Sequence, residues 1–287
     1  MRSVVITGAG SGIGLALARL AGERGARVFG AVRRREQADA LQAELGAAFT
    51  PLIFDVRDEA AIRMEMLRVR HALEGERLGG LVHSAVLAIP GPLLHQPLED
   101  IRDQLETNLL GPIIVSKVFA PLLGADPDLT GPPGRIVTLS SIGGKVGQPF
   151  AAAYIAAKHG LEGFSDALRR ELMPYGIDVI IVAPGVVNTP IWDRIEAQDR
   201  SRYAGTDYAE PLEEGVGLMI RAGREHGLTA EEAAGTVWEA LTAAHPQPRY
   251  APSSHPLLEQ GLLRIAPRRL IDRALKATLG LVPRRRG

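Results

Sequence analysis

A phenol and an ammonium stand four residues apart in AAAYIAAKHGLEGF, residues 151–164. Positions i and i+4 of a helix lie one above the other, so this spacing predicts Lys158 beneath Tyr154. A free phenol has a pKa of about 10. Acid–base work near neutral pH needs that value lowered by up to ~3 units, which costs about 4 kcal/mol. A neighbouring ammonium favours the phenolate and supplies part of this stabilisation, so the pair predicts proton transfer by Tyr154.

Two hydroxyl groups precede this helix in the chain. The run GRIVTLSS, 134–141, reads as a strand that ends at Ser140 and Ser141. We expect these hydroxyls to meet the phenol at the carboxyl edge of a parallel sheet. The alanines around Tyr154 predict either room for a cofactor and a substrate or close packing against a second copy of the helix, and both interpretations stay open.

A glycine-rich loop, TGAGSGIG at 7–14, follows the first strand and opens a helix. We expect Gly8 to allow the tight turn, Gly12 to let the backbone approach a phosphate, and Gly14 to permit close packing of strand and helix. The free N–H groups of the helix N-terminus would then face a pyrophosphate. The loop predicts dinucleotide binding.

The end of the second strand indicates which dinucleotide. An acidic residue there would bind a ribose 2′-hydroxyl, but GAVRRREQ has Val32 near that place, followed by three arginines from Arg33. Arginine binds phosphate through paired, charge-assisted hydrogen bonds. NADP(H) is therefore the predicted cofactor. The alternative is a solvated basic start of a helix.

The elements that would position these groups alternate along the chain. Strand-like runs occur at 3–7, 27–32, 51–56, 80–86, 134–140, 178–183 and 248–252, and helical patterns near 12–24, 36–45, 58–73, 98–122, 150–174 and 229–244. Several strand runs are apolar throughout, as in a parallel sheet covered on both faces. The pattern predicts an α/β fold: a doubly wound parallel sheet (Rossmann) of about seven strands with helices on both faces.

Two regions depart from this alternation. Residues 186–228 form a long excursion, which predicts a substrate-binding lid within a single catalytic domain, 1–254. Four of its apolar residues either line a substrate pocket or pack in an ordinary way: Ile191, Trp192, Leu218 and Met219. Residues 255–287 predict a C-terminal helical extension with apolar stripes and arginines. Packing on its own domain, a dimer contact and a peripheral membrane anchor are the alternatives for it.

Composition excludes several classes. The 287 residues carry no net charge and no cysteine, so nucleic-acid binding, disulfides and thiolate chemistry are not indicated. The histidines lack metal-binding spacing, and we predict no metal. No signal peptide or transmembrane segment is expected, which favours a cytoplasmic enzyme.

Five motifs together resemble the short-chain dehydrogenase/reductase family, of the single-domain type, over roughly residues 2–250. They are TGAGSGIG, FDVRD, LETNLLGP, the Y-x-x-x-K pair after a strand-end serine, and APGVVNTP. The resemblance implies the catalytic residues Asn108, Ser141, Tyr154 and Lys158, with Asn108 holding a water that links Lys158 to solvent. It implies cofactor contacts from Gly8, Gly10, Ser11, Gly12, Ile13, Gly14, Arg33, Asp55, Val56, Ala85, Tyr154, Lys158, Pro184, Gly185, Val187 and Thr189.

The resemblance implies hydride transfer between NADP(H) and the carbonyl or secondary alcohol of a hydrophobic small molecule, in a homo-dimer or homo-tetramer. One departure stands against it. The family usually has N-N-A-G after the fourth strand, whereas this chain has His83-Ser84-Ala85-Val86. Val86 removes the freedom of a glycine beside the cofactor. The alternatives are an NAD-dependent alcohol-oxidising dehydrogenase and a catalytically silent, cofactor-binding regulatory protein.

Overall fold

The computed structural model describes residues 1–254 and 266–281. Seven parallel strands form one sheet in the order β3-β2-β1-β4-β5-β6-β7. The strands are β1 Ser3–Thr7, β2 Arg27–Val32, β3 Phe49–Ile53, β4 Gly80–His83, β5 Arg135–Leu139, β6 Asp178–Val182 and β7 Arg249–Tyr250. The chain reverses the direction of winding between β3 and β4, so β1 and β4 flank the point at which ligands bind in such sheets.

Ten α-helices lie within the described residues. They are α1 Gly12–Glu23, α2 Arg35–Leu45, α3 Glu59–Ala72, α4 Leu98–Leu105, α5 Gly111–Ala120, α6 Ala152–Glu171, α7 Ile191–Glu196, α8 Ala209–His226, α9 Ala230–Thr242 and α10 Arg268–Leu279. A π-helical turn, Glu106–Leu110, joins α4 to α5. Such turns are frequent at functional sites.

Two hydrophobic layers cover the two faces of the sheet. In β1, Val4 and Ile6 face the layer formed by α1, α2 and α9, while Val5 faces the layer that includes α3 and α5. Side chains of a strand alternate between its faces, and here both alternate sets are fully buried. The predicted doubly wound α/β sheet of about seven strands is therefore confirmed.

The third strand lies two residues earlier than expected, at Phe49–Ile53 instead of 51–56. Pro51 falls inside it, opposite Gly30 of β2. Proline has no N–H to donate to a neighbouring strand, so it is rarely found in the centre of a sheet. Here β3 is an edge strand, where proline is tolerated.

The excursion at 186–228 contains two helices, α7 and α8, neither of which was predicted. The buried side chains of α7 and α8 pack on Phe150 and Leu279, which lie outside the excursion. Gly215 lies against both of these side chains, and Gly223 lies against the Trp192 indole. Gly215 and Gly223 are thus sites of close packing.

The C-terminal extension is described in part. Residues 255–265 and 282–287, with the predicted apolar positions from Leu257 to Ile265, lie outside the described residues. The helix α10 is amphipathic: Leu279 is buried on the α8 side, whereas Leu270 is exposed. Packing on its own domain is thus observed for this end of the helix.

By length and composition alone, the helical stretch 98–125 is apolar enough to cross a membrane. Half of its apolar window is buried within the domain, and Val115 and Phe119 are fully enclosed beneath the sheet. Packing in the core accounts for its hydrophobic character.

Candidate active site

Three predicted catalytic side chains meet where β5 ends and α6 runs past it. The Ser141 hydroxyl and the Tyr154 phenol both lie against Gly143, where a Cβ would be 3.6 Å from Ser141 Oγ and 3.4 Å from the phenol ring. The Gly143 N–H donates to Ser141 Oγ at 3.1 Å, which leaves the serine proton free to point at the phenol. Lys158 lies one helical turn after Tyr154, with its Nζ 5.7 Å from the centre of the phenol ring. The Lys158 ammonium donates to the Leu139 carbonyl at 2.7 Å.

Burial determines the protonation of this pair. It raises the pKa of the Tyr154 phenol, against a smaller lowering by the neighbouring Ser141 hydroxyl. The predicted lowering of the Tyr154 pKa by Lys158 is wrong for the protein alone, because the ammonium is directed at the Leu139 carbonyl and not at the phenol oxygen. Burial also lowers the pKa of Lys158 to about 8, opposed by the nearby Glu162 carboxylate. Each shift disfavours the charged form of its group.

The Asn108 side chain is fixed in the π-helical turn. Its amide donates to the Leu87 carbonyl at 2.7 Å, and its carbonyl oxygen accepts from the Leu87 N–H at 2.8 Å. Asn108 is almost completely buried. It therefore ties the segment after β4 to the helix beside α6. The water held by this asparagine stays a prediction.

The glycine loop has the shape of a phosphate site. Gly8 and Gly12 take positive φ angles of 67° and 55°. A Cβ at Gly8 would lie 2.8 Å from the Ala85 backbone, and a Cβ at Gly14 would lie 2.3 Å from the Gly8 carbonyl oxygen. The Ser11 side chain, at the start of α1, accepts no hydrogen bond from the first N–H groups of the helix. Its hydroxyl therefore does not occupy these N–H groups. Ile13 packs on the core beneath.

A second set of predicted contacts surrounds the loop. Arg33 is exposed at the end of β2, and no side-chain hydrogen bond engages it within 1–254 or 266–281. Burial would raise the pKa of the Asp55 carboxyl, but its bonds to Arg57 and the charge of Arg33 lower it. Val56 is buried against Gly111 at the start of α5.

The segment after β6 connects the two parts of the site. The Pro184 carbonyl accepts from the Ile142 N–H at 3.0 Å, next to Ser141. Thr189 lies against Gly12, where a Cβ would be 3.2 Å away. Between them, Gly185 bonds to Pro252 and Val187 is buried. The predicted residues Pro184, Gly185, Val187 and Thr189 thus run from the serine to the glycine loop.

The sequence model of the short chain dehydrogenases matches residues 2–200. The chain belongs to this family. It is 32% identical over 273 residues to the NADPH-dependent 3-dehydrocapnine reductase of Ornithobacterium rhinotracheale, with 95% of each chain covered. It is 32% identical to retinol dehydrogenase 16 of Mus musculus, over 86% of this chain and 79% of that one. A short-chain dehydrogenase structure from Streptomyces avermitilis superposes with a TM-score of 0.76, at 25% identity and with 98% and 99% covered.

The segment of residues 83–86, which departs from the family's usual N-N-A-G, is held by hydrogen bonds of its own. His83 Nε2 hydrogen-bonds the Ser116 hydroxyl of α5 at 2.8 Å in the core, and burial lowers the pKa of His83 to about 3, so this histidine is neutral. The Thr7 hydroxyl accepts from the N–H groups of Ser84 and Ala85 at 3.1 and 3.3 Å. These bonds hold the segment that ends in Val86 beside the glycine loop of this dehydrogenase.

Two site features were missing from the sequence predictions. Arg194 of α7 donates to the Ser11 hydroxyl at 2.8 Å. Glu162, one turn after Lys158, is a buried carboxylate with two cationic partners. The spacing of Tyr154, Lys158 and Glu162 at i, i+4 and i+8 was a readable signal for the second. The first depends on the position of the lid helix, for which the sequence holds no signal. Trp192 and its predicted apolar neighbours pack partly buried in the lid cluster around α8.

Proposed function

We propose that this short-chain dehydrogenase transfers hydride between NADP(H) and the carbonyl or secondary alcohol of a hydrophobic small molecule, with Tyr154 as the general acid and base. One observation carries the proposal. Tyr154 lies beside Ser141 and above the buried Lys158, at the same sheet edge as the glycine loop. All four predicted catalytic positions are present, which argues against a catalytically silent protein.

The residues present fit NADP(H). The unobstructed N-terminus of α1 and the positive φ of Gly8 and Gly12 suit a diphosphate. The exposed Arg33 at the end of β2 suits a 2′-phosphate, and Val32 leaves no carboxylate there to repel it. The NADPH-dependent relative supports this choice over NAD(H). We propose Asp55 and Val56 for the adenine side and Pro184 to Thr189 for the nicotinamide side.

The cofactor supplies or accepts the hydride. In reduction, Tyr154 donates a proton to the carbonyl oxygen as negative charge develops on it. Ser141 donates a hydrogen bond to the same oxygen and holds it within reach of the phenol. With the cofactor bound, Lys158 would stabilise the phenolate that remains, because an ammonium close to a phenol favours its charged form. In the protein alone this ammonium is directed at the Leu139 carbonyl. In oxidation the phenolate takes the proton from the alcohol.

The apolar residues of the predicted lid favour a hydrophobic substrate. Its cluster combines Phe150 with aromatic and aliphatic side chains of α7 and α8. Of the relatives, one is a 3-dehydrocapnine reductase and others are retinol dehydrogenases. Ketone reduction and alcohol oxidation are both represented, so the test needs substrates of both kinds. We propose carbonyl reduction as the principal direction because the relative aligned over 95% of this chain is a reductase.

The test is a fluorescence titration of the protein with NADPH and, in parallel, with NADH, followed by assays with 3-dehydrocapnine, retinal and retinol. Tight NADPH binding with weaker NADH binding, and oxidation of NADPH by one of the carbonyl compounds, is the expected result. Preference for NADH would contradict the assignment of Arg33. Binding of neither cofactor would contradict the proposal and assign a closing role to Val86.

A further inference from the structure

Glu162 is a charged residue enclosed at the end of β5. Its side chain is 3% exposed, yet it contacts cations from two other segments. The Lys145 ammonium lies 2.9 Å from Glu162 Oε2, and the Arg249 guanidinium of β7 lies 3.2 Å from Oε1. The Ser140 hydroxyl donates to Oε1 at 3.0 Å. A buried carboxylate persists only with such partners, because its isolated charge is costly to remove from water.

These contacts surround Ser141. Ser140 precedes it in the chain, and Lys145 follows the short turn Ile142–Gly144 that Ser141 opens. The carboxylate also lies against Gly144, where a Cβ would be 2.5 Å from Oε1. Glu162 therefore holds both sides of the segment that presents the serine to Tyr154.

The same carboxylate belongs to the face of α6 that carries the acid–base pair. Tyr154, Lys158 and Glu162 follow one another at intervals of four residues, and each lies beside one of three consecutive residues at the end of β5. Lys158 donates to the Leu139 carbonyl, Glu162 accepts from the Ser140 hydroxyl, and Tyr154 lies beside Ser141. The ammonium of Lys158 has no carboxylate in direct contact within the described residues, so Glu162 is its nearby negative charge on this face.

We propose that Glu162 is a positioning residue of the reaction, whose buried charge keeps Lys158 protonated beneath Tyr154 while its hydrogen bonds fix the Ser141 segment. This inference rests on the proposed function of Tyr154. Glu162 on the same helix is the charged group that acts on Lys158, and Lys145 from the loop after β5 and Arg249 from β7 pair with this carboxylate. Removal of the carboxylate would leave three cations with no counter-charge.

The experiment follows Lys158 directly. The chain has four lysines, at 117, 145, 158 and 276, so a protein labelled with [13C]lysine gives few signals, and Lys158→Met assigns the one of interest. In Glu162→Gln, which retains an acceptor for Ser140, we expect the Lys158 titration to fall by roughly one pH unit. The upper pH limit of alcohol oxidation should fall with it. An unchanged Lys158 titration would overturn the proposal.

Lys145→Gln is the matched control, because it removes a cation from the same carboxylate at a side chain that is 39% exposed. We expect it to move the Lys158 titration to higher pH, opposite to Glu162→Gln. A purely structural role of the contacts would lower the rate in both variants without opposite shifts, and that result would also overturn the proposal. If Glu162→Gln fails to fold, Lys145→Gln decides alone: an unchanged or lowered titration rejects the inference. Because the lysine signal needs no turnover, failure of the proposed function is read separately, from the cofactor titration.

Discussion

Arg194 of the lid helix α7 donates a hydrogen bond of 2.8 Å to the hydroxyl of Ser11, which is 183 residues earlier in the chain and opens α1. Helix α7 is itself fastened to α8, because the Arg224 guanidinium bonds to both Asp193 and Glu196 at 2.6 Å. Helices α7 and α8 are thereby joined as a unit to the glycine loop, which would hold the diphosphate. Its cationic side chain stands at the N-terminus of a helix, where anions bind.

Arg194→Gln should weaken the binding of NADPH and NADH alike, by about tenfold, since a charge-assisted hydrogen bond to phosphate contributes on the order of 1.5 kcal/mol. Fluorescence titration of both cofactors measures this. Arg202→Gln is the control, because Arg202 pairs with Asp100 instead of the loop, and its affinities should stay at the wild-type values. Unchanged affinity in Arg194→Gln would mean that the arginine serves only to close the lid.

Arg33→Ala should act on one cofactor only. Loss of a guanidinium that binds the 2′-phosphate is expected to raise the dissociation constant of NADPH by about 10- to 100-fold and leave that of NADH nearly unchanged. The same titration in parallel series decides it. An equal loss for both cofactors would place Arg33 on a group that they share.

Tyr154→Phe should remove turnover and retain cofactor binding. The phenylalanine keeps the ring and loses the proton, and a positioned general acid contributes about 10²- to 10⁴-fold to the rate. Steady-state kcat and the NADPH titration are the two measurements. A variant that keeps a tenth or more of the wild-type kcat would show that another group transfers the proton.

The burial of Lys158 makes stability depend on pH in a defined direction. Burial lowers its folded-state pKa from 10.5 to about 8, partly offset by Glu162. Below about pH 8 the folded protein bears the whole cost of the enclosed charge. Above it the folded state alone releases the proton, so the cost falls until the unfolded chain also titrates near 10.5.

Lys158→Met lacks this cost at every pH. Its advantage over the wild type in free energy of unfolding should therefore shrink by up to about 2 kcal/mol between about pH 7 and about pH 9.5. Urea unfolding of both proteins at the two values measures the difference. A constant gap would mean that Lys158 keeps its proton in the folded protein throughout this range.

The alternation of apolar runs was sufficient to predict the fold, because strands buried on both faces have continuous apolar centres, such as VVI in β1 and VIIV in β6. It failed where local signals conflict with the tertiary context. In the sequence Pro51 reads as the first residue of a strand. It lies inside β3, which is possible because β3 is an edge strand. In α8, Gly215 and Gly223 weaken the helical pattern, and only the neighbours Phe150 and Trp192 explain them.

For the site, motif spacing predicted which side chains converge but not their charges. Ser141, Tyr154 and Lys158 meet as the i, i+4 spacing and the preceding strand require. The pKa of Tyr154 depends on burial and on the aim of the Lys158 ammonium, which are tertiary properties. The partners of Glu162 come from residues 17 positions before it and 87 after it, a distance at which sequence spacing carries no information.

The late position of Arg249, 87 residues after Glu162 in the sequence, also sets the order in which the site is completed during synthesis. Arg249 belongs to β7, which is the last strand within residues 1–254 and 266–281 and pairs with β6 at the edge of the sheet. A growing chain that has already made Glu162, Lys158 and Tyr154 still lacks one of the two cations that neutralise the carboxylate. The site's electrostatics are therefore completed only when the final strand docks, and a nascent or truncated chain without β7 would keep its sheet core but hold the acid–base pair in an altered state of charge.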